Sequence, residues 1–146
     1  MNMDQDERNK AIVLRLIELV NNRRLNLLDE VMANDFVMHL GTSGQVSGLD
    51  AFKRVNTTEG GAVAFPDFEI TINDIFAAGD RVAVRYLMRA TSKGTFMGQT
   101  ATGERVQWAG TVIYRIENNK LVESWTTEDF LSLLKQLGIK DISKLK

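Results

Sequence analysis

Two hydrophobic periodicities follow one another along the chain, and the change falls at Gly60-Gly61. Before that point, apolar residues recur at the spacing of one helix face. They form a long N-terminal set at Ile12, Val13, Leu16, Leu19 and Val20, and a shorter set at Leu27, Leu28, Val31 and Met32. The two sets predict an amphipathic helix followed by a shorter one, which Asn34-Asp35 should end.

A short strand and a third helix are expected in the rest of this first part. Phe36 to Leu40 is β-prone, and several glycines then interrupt the chain. The segment Ser47-Gly48-Leu49-Asp50 has the spacing of a capping box, in which side chains satisfy the first backbone N–H groups of a helix. It predicts a helix that begins near Leu49.

After Gly60-Gly61, apolar and polar residues alternate in four segments, 68–75, 82–89, 106–116 and 121–125. A period of two predicts β-strands. Asn118-Asn119 is typical of a tight hairpin turn, because asparagine tolerates the positive φ that such turns require. The residues from Phe130 to Leu137 return to helical spacing, and Gly138 should end that last helix.

Helices followed by an antiparallel meander predict an α+β fold, in which a curved, cone-shaped sheet wraps around the N-terminal helices. The 146 residues fit one domain, 1–146. Helices that do not fill such a cone leave a concave pocket, and small-molecule sites favour concavities of this kind. A hydrophobic small molecule is therefore the expected partner.

Composition excludes several other functions. Eighteen Lys and Arg residues against nineteen Asp and Glu residues give no positive field to attract nucleic acid. The absence of cysteine excludes thiol catalysis and disulfides, and a single histidine, His39, makes a metal site improbable. No apolar run reaches the roughly 20 residues that cross a membrane, and the N-terminus has no signal-peptide pattern. We expect a cytoplasmic protein without a metal or cofactor.

Carboxylate chemistry remains as the candidate activity, since the chain has no nucleophile elbow, phosphate-binding loop or dinucleotide motif. A carboxylate in an apolar cavity has a raised pKa and can act as a base near neutral pH. Asp129 has the most apolar sequence neighbours of any acid, although it could instead cap the last helix. Glu128 has the opposite parity and is expected to face solvent. Asp74 is the second candidate.

Five further residues are predicted to contact the bound molecule, namely His39, Tyr86, Met88, Trp108 and Trp125. The two tryptophans could form flat walls for a ring system, and His39 could orient a carbonyl group. Packing in the protein core explains each of them as well. Arg85 is expected on the outer face of the sheet, with Ala83, Leu87, Ala109 and Ile113, where two copies of the chain could form a homodimer.

Several segments resemble the SnoaL-like ester cyclases of aromatic polyketide biosynthesis, which have the nuclear-transport-factor-like cone fold. The resemblance lies in Phe65-Pro66-Asp67-Phe68, Ala78-Gly79-Asp80-Arg81-Val82, Lys120-Leu121-Val122-Glu123-Ser124-Trp125, and Asp129 followed by Leu133-Leu134-Lys135-Gln136-Leu137-Gly138. It implies that Asp129 is a general acid/base, working without metal or cofactor. The implied reaction is an intramolecular aldol closure of a polyketide chain.

Two departures from the family pattern leave other functions open. Where the family has Gly-Thr-His, this chain has Ala90-Thr91-Ser92, and Ala101 replaces a usual proline. Ser92 cannot exchange a proton near neutral pH, so either His39 compensates or the chemistry differs. The alternatives are an isomerase or epoxide hydrolase that uses Asp129 or Asp74 beside Tyr86 or Arg85, and a non-catalytic binding module.

Overall fold

A computed structural model describes residues 4–42 and 44–144 of the chain. In that region the helices are α1 (Gln5–Asn21), α2 (Leu49–Val55), α3 (Gly61–Ala64) and α4 (Phe130–Gln136), with 3-10 segments at Leu25–Glu30 and Ile142–Lys144. The strands are β1 (Met32–Leu40), β2 (Gln45–Ser47), β3 (Glu69–Ala78), β4 (Arg81–Thr91), β5 (Arg105–Glu117) and β6 (Lys120–Glu128). None of these helices is long and apolar enough to cross a bilayer.

The strands form one curved sheet in the order β2-β1-β6-β5-β4-β3, which does not close into a barrel. All neighbours are antiparallel except β1 and β6, which run parallel. Helix α1 packs against β3, β4 and β6. The predicted α+β fold with a curved sheet wrapped around the N-terminal helix is confirmed.

Local sequence explains two well-predicted features. Helix α1 begins at Asp4, whose carboxylate accepts a hydrogen bond from the Glu7 backbone N–H at 2.8 Å, as an N-cap does. Its apolar face, which includes Val13 and Leu16, is almost completely buried. Asn118 and Asn119 have φ angles of 50° and 61° and join β5 to β6 in the expected tight turn.

One predicted boundary and one predicted cap are wrong, although α2 begins at Leu49 as expected. Asn34 and Asp35 do not end a helix but lie inside β1, where the pairing with β6 shifts register between Met32 and Val37. Such an irregularity tolerates exposed polar residues within a strand. The capping box also fails to form, since Gly48, at φ 95°, is the N-cap residue of α2 and makes no side-chain cap.

Candidate active site

A cavity of about 310 Å³ lies between α1 and the concave face of the sheet. Its walls are mostly apolar, with Leu16 and Val20 from α1, Met88 from β4 and Val112 from β5. Phe65, Phe96 and Phe130 form a chain of aromatic contacts on one side, with ring centroids 5.2 Å and 6.2 Å apart. A pocket of the expected kind is therefore present.

Glu128 is the one charged side chain that lines this cavity among the residues the structure describes. It is the last residue of β6, and the indole N–H of Trp108 donates a hydrogen bond to its Oε2 atom. Burial raises the pKa of Glu128 above its ordinary value, while interactions with Trp108 and the Tyr86 hydroxyl partly oppose the shift. A carboxyl group with a raised pKa is suited to exchanging protons near neutral pH.

The tyrosines around Glu128 are kept in their protonated form. Burial, reinforced by the negative charge of Glu128, raises the pKa of Tyr86 and of Tyr114 far above the ordinary value. Both tyrosines line the cavity, and their hydroxyls remain hydrogen-bond donors at any physiological pH. The cavity thus combines one titratable carboxyl group with neutral donors.

Asp129 lies differently from the expectation. Its side chain is exposed, and Oδ1 accepts a hydrogen bond from the Ser132 backbone N–H at 3.1 Å, which makes Asp129 the N-cap of α4. It is not among the residues that line the cavity. The predicted burial of Asp129 is wrong, and the alternative capping role is the one observed, because the carboxylate satisfies the first turn of the helix.

Three of the five predicted contact residues, Tyr86, Met88 and Trp108, line the cavity. The other two, His39 and Trp125, lie side by side on β1 and β6 with stacked rings 5.6 Å apart, and neither lines the cavity. They belong to the outer face of the sheet, where Glu123 Oε2 lies 2.7 Å from His39 Nε2. The prediction that His39 and Trp125 face the pocket is therefore corrected, while ligand binding by the other three stays a prediction.

Asp74, the second candidate acid, is also directed away from the cavity. The pairing of β3 with β4 shifts register between Ile72 and Asp74, which breaks the alternation on which its predicted orientation depended. Asp74 Oδ2 instead lies 2.6 Å from Arg85 Nε in an exposed ion pair. Arg85 is thus exposed, as the sequence predicted.

Ser92, at the position where the family has histidine, holds a loop together. It is buried, and its Oγ atom accepts a hydrogen bond from the Thr102 N–H at 3.0 Å. Its backbone N–H and C=O bond to Glu104 and Gly103 across the same connection between β4 and β5. The cavity lining does not include it. Ser92 therefore stabilises the loop that carries Phe96 to the cavity.

The sequence contained a signal for Glu128 that the prediction missed. Glu128 has the parity of Ser124 and Thr126, which face inward, whereas Trp125 has the parity of the outward residues. The prediction placed Asp129 inward because of its apolar sequence neighbours, and it therefore assigned Glu128, at the opposite parity, to solvent. Among residues 4–42 and 44–144, no three His, Cys, Asp or Glu side chains come together as a metal site would require.

Comparisons with known proteins agree with this architecture. A profile of the SnoaL-like polyketide cyclase family matches residues 10–137. The structure is similar to AclR, a proposed hydroxylase from Streptomyces galilaeus, with 34% identity, a TM-score of 0.77, and coverage of 91% of this chain and 97% of AclR. It is also similar to IdmH, a proposed polyketide cyclase from Streptomyces antibioticus, with 31% identity, a TM-score of 0.77, and coverage of 89% and 98%.

A third solved structure, a proposed SnoaL-like polyketide cyclase from Jannaschia sp. CCS1, is 18% identical with a TM-score of 0.83, covering 97% of this chain and 99% of its own. At that identity the likeness establishes the fold alone. No curated protein matches the chain at comparable significance.

Proposed function

Because the chain belongs to the SnoaL-like polyketide cyclase family, we propose that it is a cyclase that closes a ring within a hydrophobic, carbonyl-rich small molecule. We propose Glu128 as its general acid/base. The observation that carries this assignment is a single half-buried carboxyl group at the wall of an apolar cavity, with no cationic partner among the residues that the structure describes. Groups with pKa values shifted in this way concentrate at active sites.

In the proposed reaction, the Glu128 carboxylate takes a proton from a carbon atom flanked by two carbonyl groups. The resulting enolate carbon attacks another carbonyl carbon of the same molecule, which forms a C–C bond and converts the C=O to an alkoxide. The alkoxide then takes the proton back from Glu128, so the carboxylate is regenerated without an external reagent. Once Glu128 has taken the proton, its carboxyl group no longer requires the single Tyr86 O–H donor, which would then stabilise the enolate oxygen by hydrogen bonding.

The apolar walls would contribute by holding the flexible substrate in a bent conformation. Fixing the two reacting carbon atoms near one another turns a slow encounter into a directed one. Phe65, Phe96 and Phe130 offer flat and edge-on ring surfaces to a conjugated substrate. Exclusion of water strengthens the hydrogen bonds to the developing oxyanion.

The test compares Glu128→Gln with Asp129→Asn, two nearly isosteric changes at adjacent residues. Each variant is incubated with methyl esters of polyketides that carry an enolisable carbon, and cyclised product is measured by liquid chromatography and mass spectrometry. We expect Glu128→Gln to slow turnover about 10²- to 10⁴-fold, the usual contribution of a general base, and Asp129→Asn to change it less than about threefold. The opposite ranking would return the role to Asp129, and no loss in either variant would refute acid–base catalysis.

The structure argues against one version of the isomerase or epoxide hydrolase alternative. Asp74 and Arg85 are disfavoured as its catalytic residues, because they pair with each other in an exposed position. A proton-transferring isomerase that uses Glu128 and Tyr86 would share every residue of the proposed site. The products of the same incubations distinguish the two, since an isomer without a new ring would favour the isomerase.

We also propose that the outer sheet face forms a homodimer. Phe76, Ala83 and Ile113 are paired in one row across β3, β4 and β5, and Phe76 is 68% exposed. An exposed apolar row of this kind suits self-association about a twofold axis. Light scattering after size exclusion should show a dimer that Phe76→Glu dissociates and that Leu131→Glu, an exposed apolar position on α4, leaves intact.

A further inference from the structure

Gly110 on β5 lies between Glu128, the proposed acid/base, and the phenol ring of Tyr86. It pairs with Tyr86 on β4 and with Glu128 on β6. The three residues thus lie side by side across adjacent strands, and Tyr86 and Glu128, on either side of Gly110, line the cavity. Tyr86 can approach Glu128 only by crossing the position that a side chain on β5 would fill.

The space above Gly110 is taken by the tyrosine ring. A Cβ atom built on Gly110 would lie 2.4 Å from Cζ and 2.5 Å from Oη of Tyr86, far inside van der Waals contact. Gly110 is not among the glycines with positive φ, so its backbone conformation is open to any residue. A buried glycine within a strand weakens the sheet, and here the close approach of Tyr86 explains its presence.

We propose that Gly110 is a positioning residue, whose missing side chain lets the Tyr86 hydroxyl reach across β5 to Glu128. This inference rests on the proposed function only where it gives the contact between Tyr86 and Glu128 a role in catalysis. A methyl group at residue 110 would lift the phenol away from the carboxylate into the cavity. Since the Tyr86 hydroxyl favours ionised Glu128, its displacement should raise the pKa of Glu128 further.

The experiment follows the Glu128 carboxyl group directly, by ¹³C NMR titration of protein labelled at glutamate side chains, with the signal assigned by its loss in Glu128→Gln. Gly110→Ala should shift the titration to higher pH, as Tyr86→Phe should. The double variant should shift no further than Tyr86→Phe alone, because the hydroxyl interaction is already lost. Gly44→Ala is the matched control, as Gly44 has no atom within 4 Å of an added Cβ and no positive φ.

An unchanged titration in Gly110→Ala, or additive shifts in the double variant, would overturn the positioning role. Turnover gives an independent readout, in which Gly110→Ala should lower kcat about tenfold with a smaller change in KM. If Glu128→Gln keeps full activity while Gly110→Ala still shifts the titration, the proposed function fails and the positioning role stands.

A variant that fails to fold is also informative. Gly110→Ala combined with Tyr86→Leu removes the ring that the added methyl group would strike, so this pair should restore folding. Failure of the double variant to fold, when Tyr86→Leu alone folds, would show that the methyl group clashes with something other than Tyr86 and would refute the proposal.

Discussion

Glu123 and Glu128 lie on the same strand, yet their pKa values move in opposite directions. Glu123 faces outward, where hydrogen bonding to His39 and to Arg115 lowers its pKa despite an opposing contribution from burial. Glu128 faces the cavity, where burial raises its pKa and the groups of the described chain that interact with it, Trp108 and Tyr86, are neutral. The same residue type becomes a structural ion-pair partner on one face and a candidate base on the other.

The two glutamates differ in their neighbours. Glu123 lies beside basic side chains, whereas Glu128 has no basic neighbour among the described residues, and this difference defines the candidate site more than the carboxylate itself does. Arg115 Nε lies 3.1 Å from Glu123 Oε1, and His39 Nε2 lies 2.7 Å from Glu123 Oε2. Glu128 receives hydrogen bonds that orient its carboxylate without neutralising it. A carboxylate that is oriented but not neutralised keeps its capacity to accept a proton.

The largest effect should come from giving Glu128 the cation it lacks. Thr126 lines the cavity two residues before Glu128, on the same face of β6. In Thr126→Arg the permanently charged guanidinium should lower the pKa of Glu128 and reduce turnover at least about 100-fold. Thr127→Arg places the same charge on the exposed face and is the control. Equal pH–rate profiles for the two variants would contradict this account of the site.

A smaller effect is expected from exchanging the tryptophans of the two faces for phenylalanine. Trp108→Phe removes the indole donor to Glu128, which should raise the pKa of that carboxyl group and lower turnover near neutral pH about tenfold. Trp125→Phe alters the outer face, where Trp125 lies between His39 and Arg81. Its turnover should stay within about twofold of the original. A loss in Trp125→Phe equal to that in Trp108→Phe would mean that the faces are not functionally distinct.

The smallest effect concerns how the free energy of unfolding changes with pH. Removing the charge of Glu123 and removing that of Glu128 should change it in opposite directions. The folded-state pKa of Glu123 is lowered, so its contribution is present above its ordinary value of 4.5 and is lost on acidification. Glu123→Gln should therefore destabilise at neutral pH by less than about 1 kcal/mol, and by nothing at low pH.

For Glu128 the folded-state pKa is raised, so stability falls as pH rises from 4.5 through that pKa. Glu128→Gln should therefore stabilise the protein at neutral pH, by about 1 kcal/mol, and match the original protein at low pH. Urea unfolding at a series of pH values measures both differences. Parallel curves for the two variants would contradict the opposite assignments.

Much of the fold could be predicted because its signals are local. The N-cap Asp4 and the apolar stripe of α1 lie within one element, and Asn118-Asn119 specifies its own turn. Strand β2 was missed because its three residues are too few to show an alternating pattern. The irregular start of β1 was missed because its structure depends on β6, which is distant in sequence. Met32 pairs with Leu121, and no pattern near Met32 reports that contact.

The candidate site was predicted less well, for a reason that one strand illustrates. Successive residues of a strand face opposite sides, so one wrong assignment reverses all the others. Trp125 was predicted to form a flat wall of the pocket, but its ring lies under the Arg81 guanidinium on the outer face. Trp108 and Tyr86 were assigned correctly, because each belongs to a longer alternating run with buried neighbours.

The parallel pairing of β1 with β6 has a consequence for how the protein is made. Strands β1 and β6, which are far apart in the sequence, must meet before the sheet is complete, which slows folding because a long loop has to close first. Strand β6, which carries Glu128, follows the other five described strands in chain order, so it is synthesised after them. Until β6 has paired with β1 and β5, the apolar walls of the cavity are exposed. Aggregation is therefore most favoured in the interval before β6 joins the sheet.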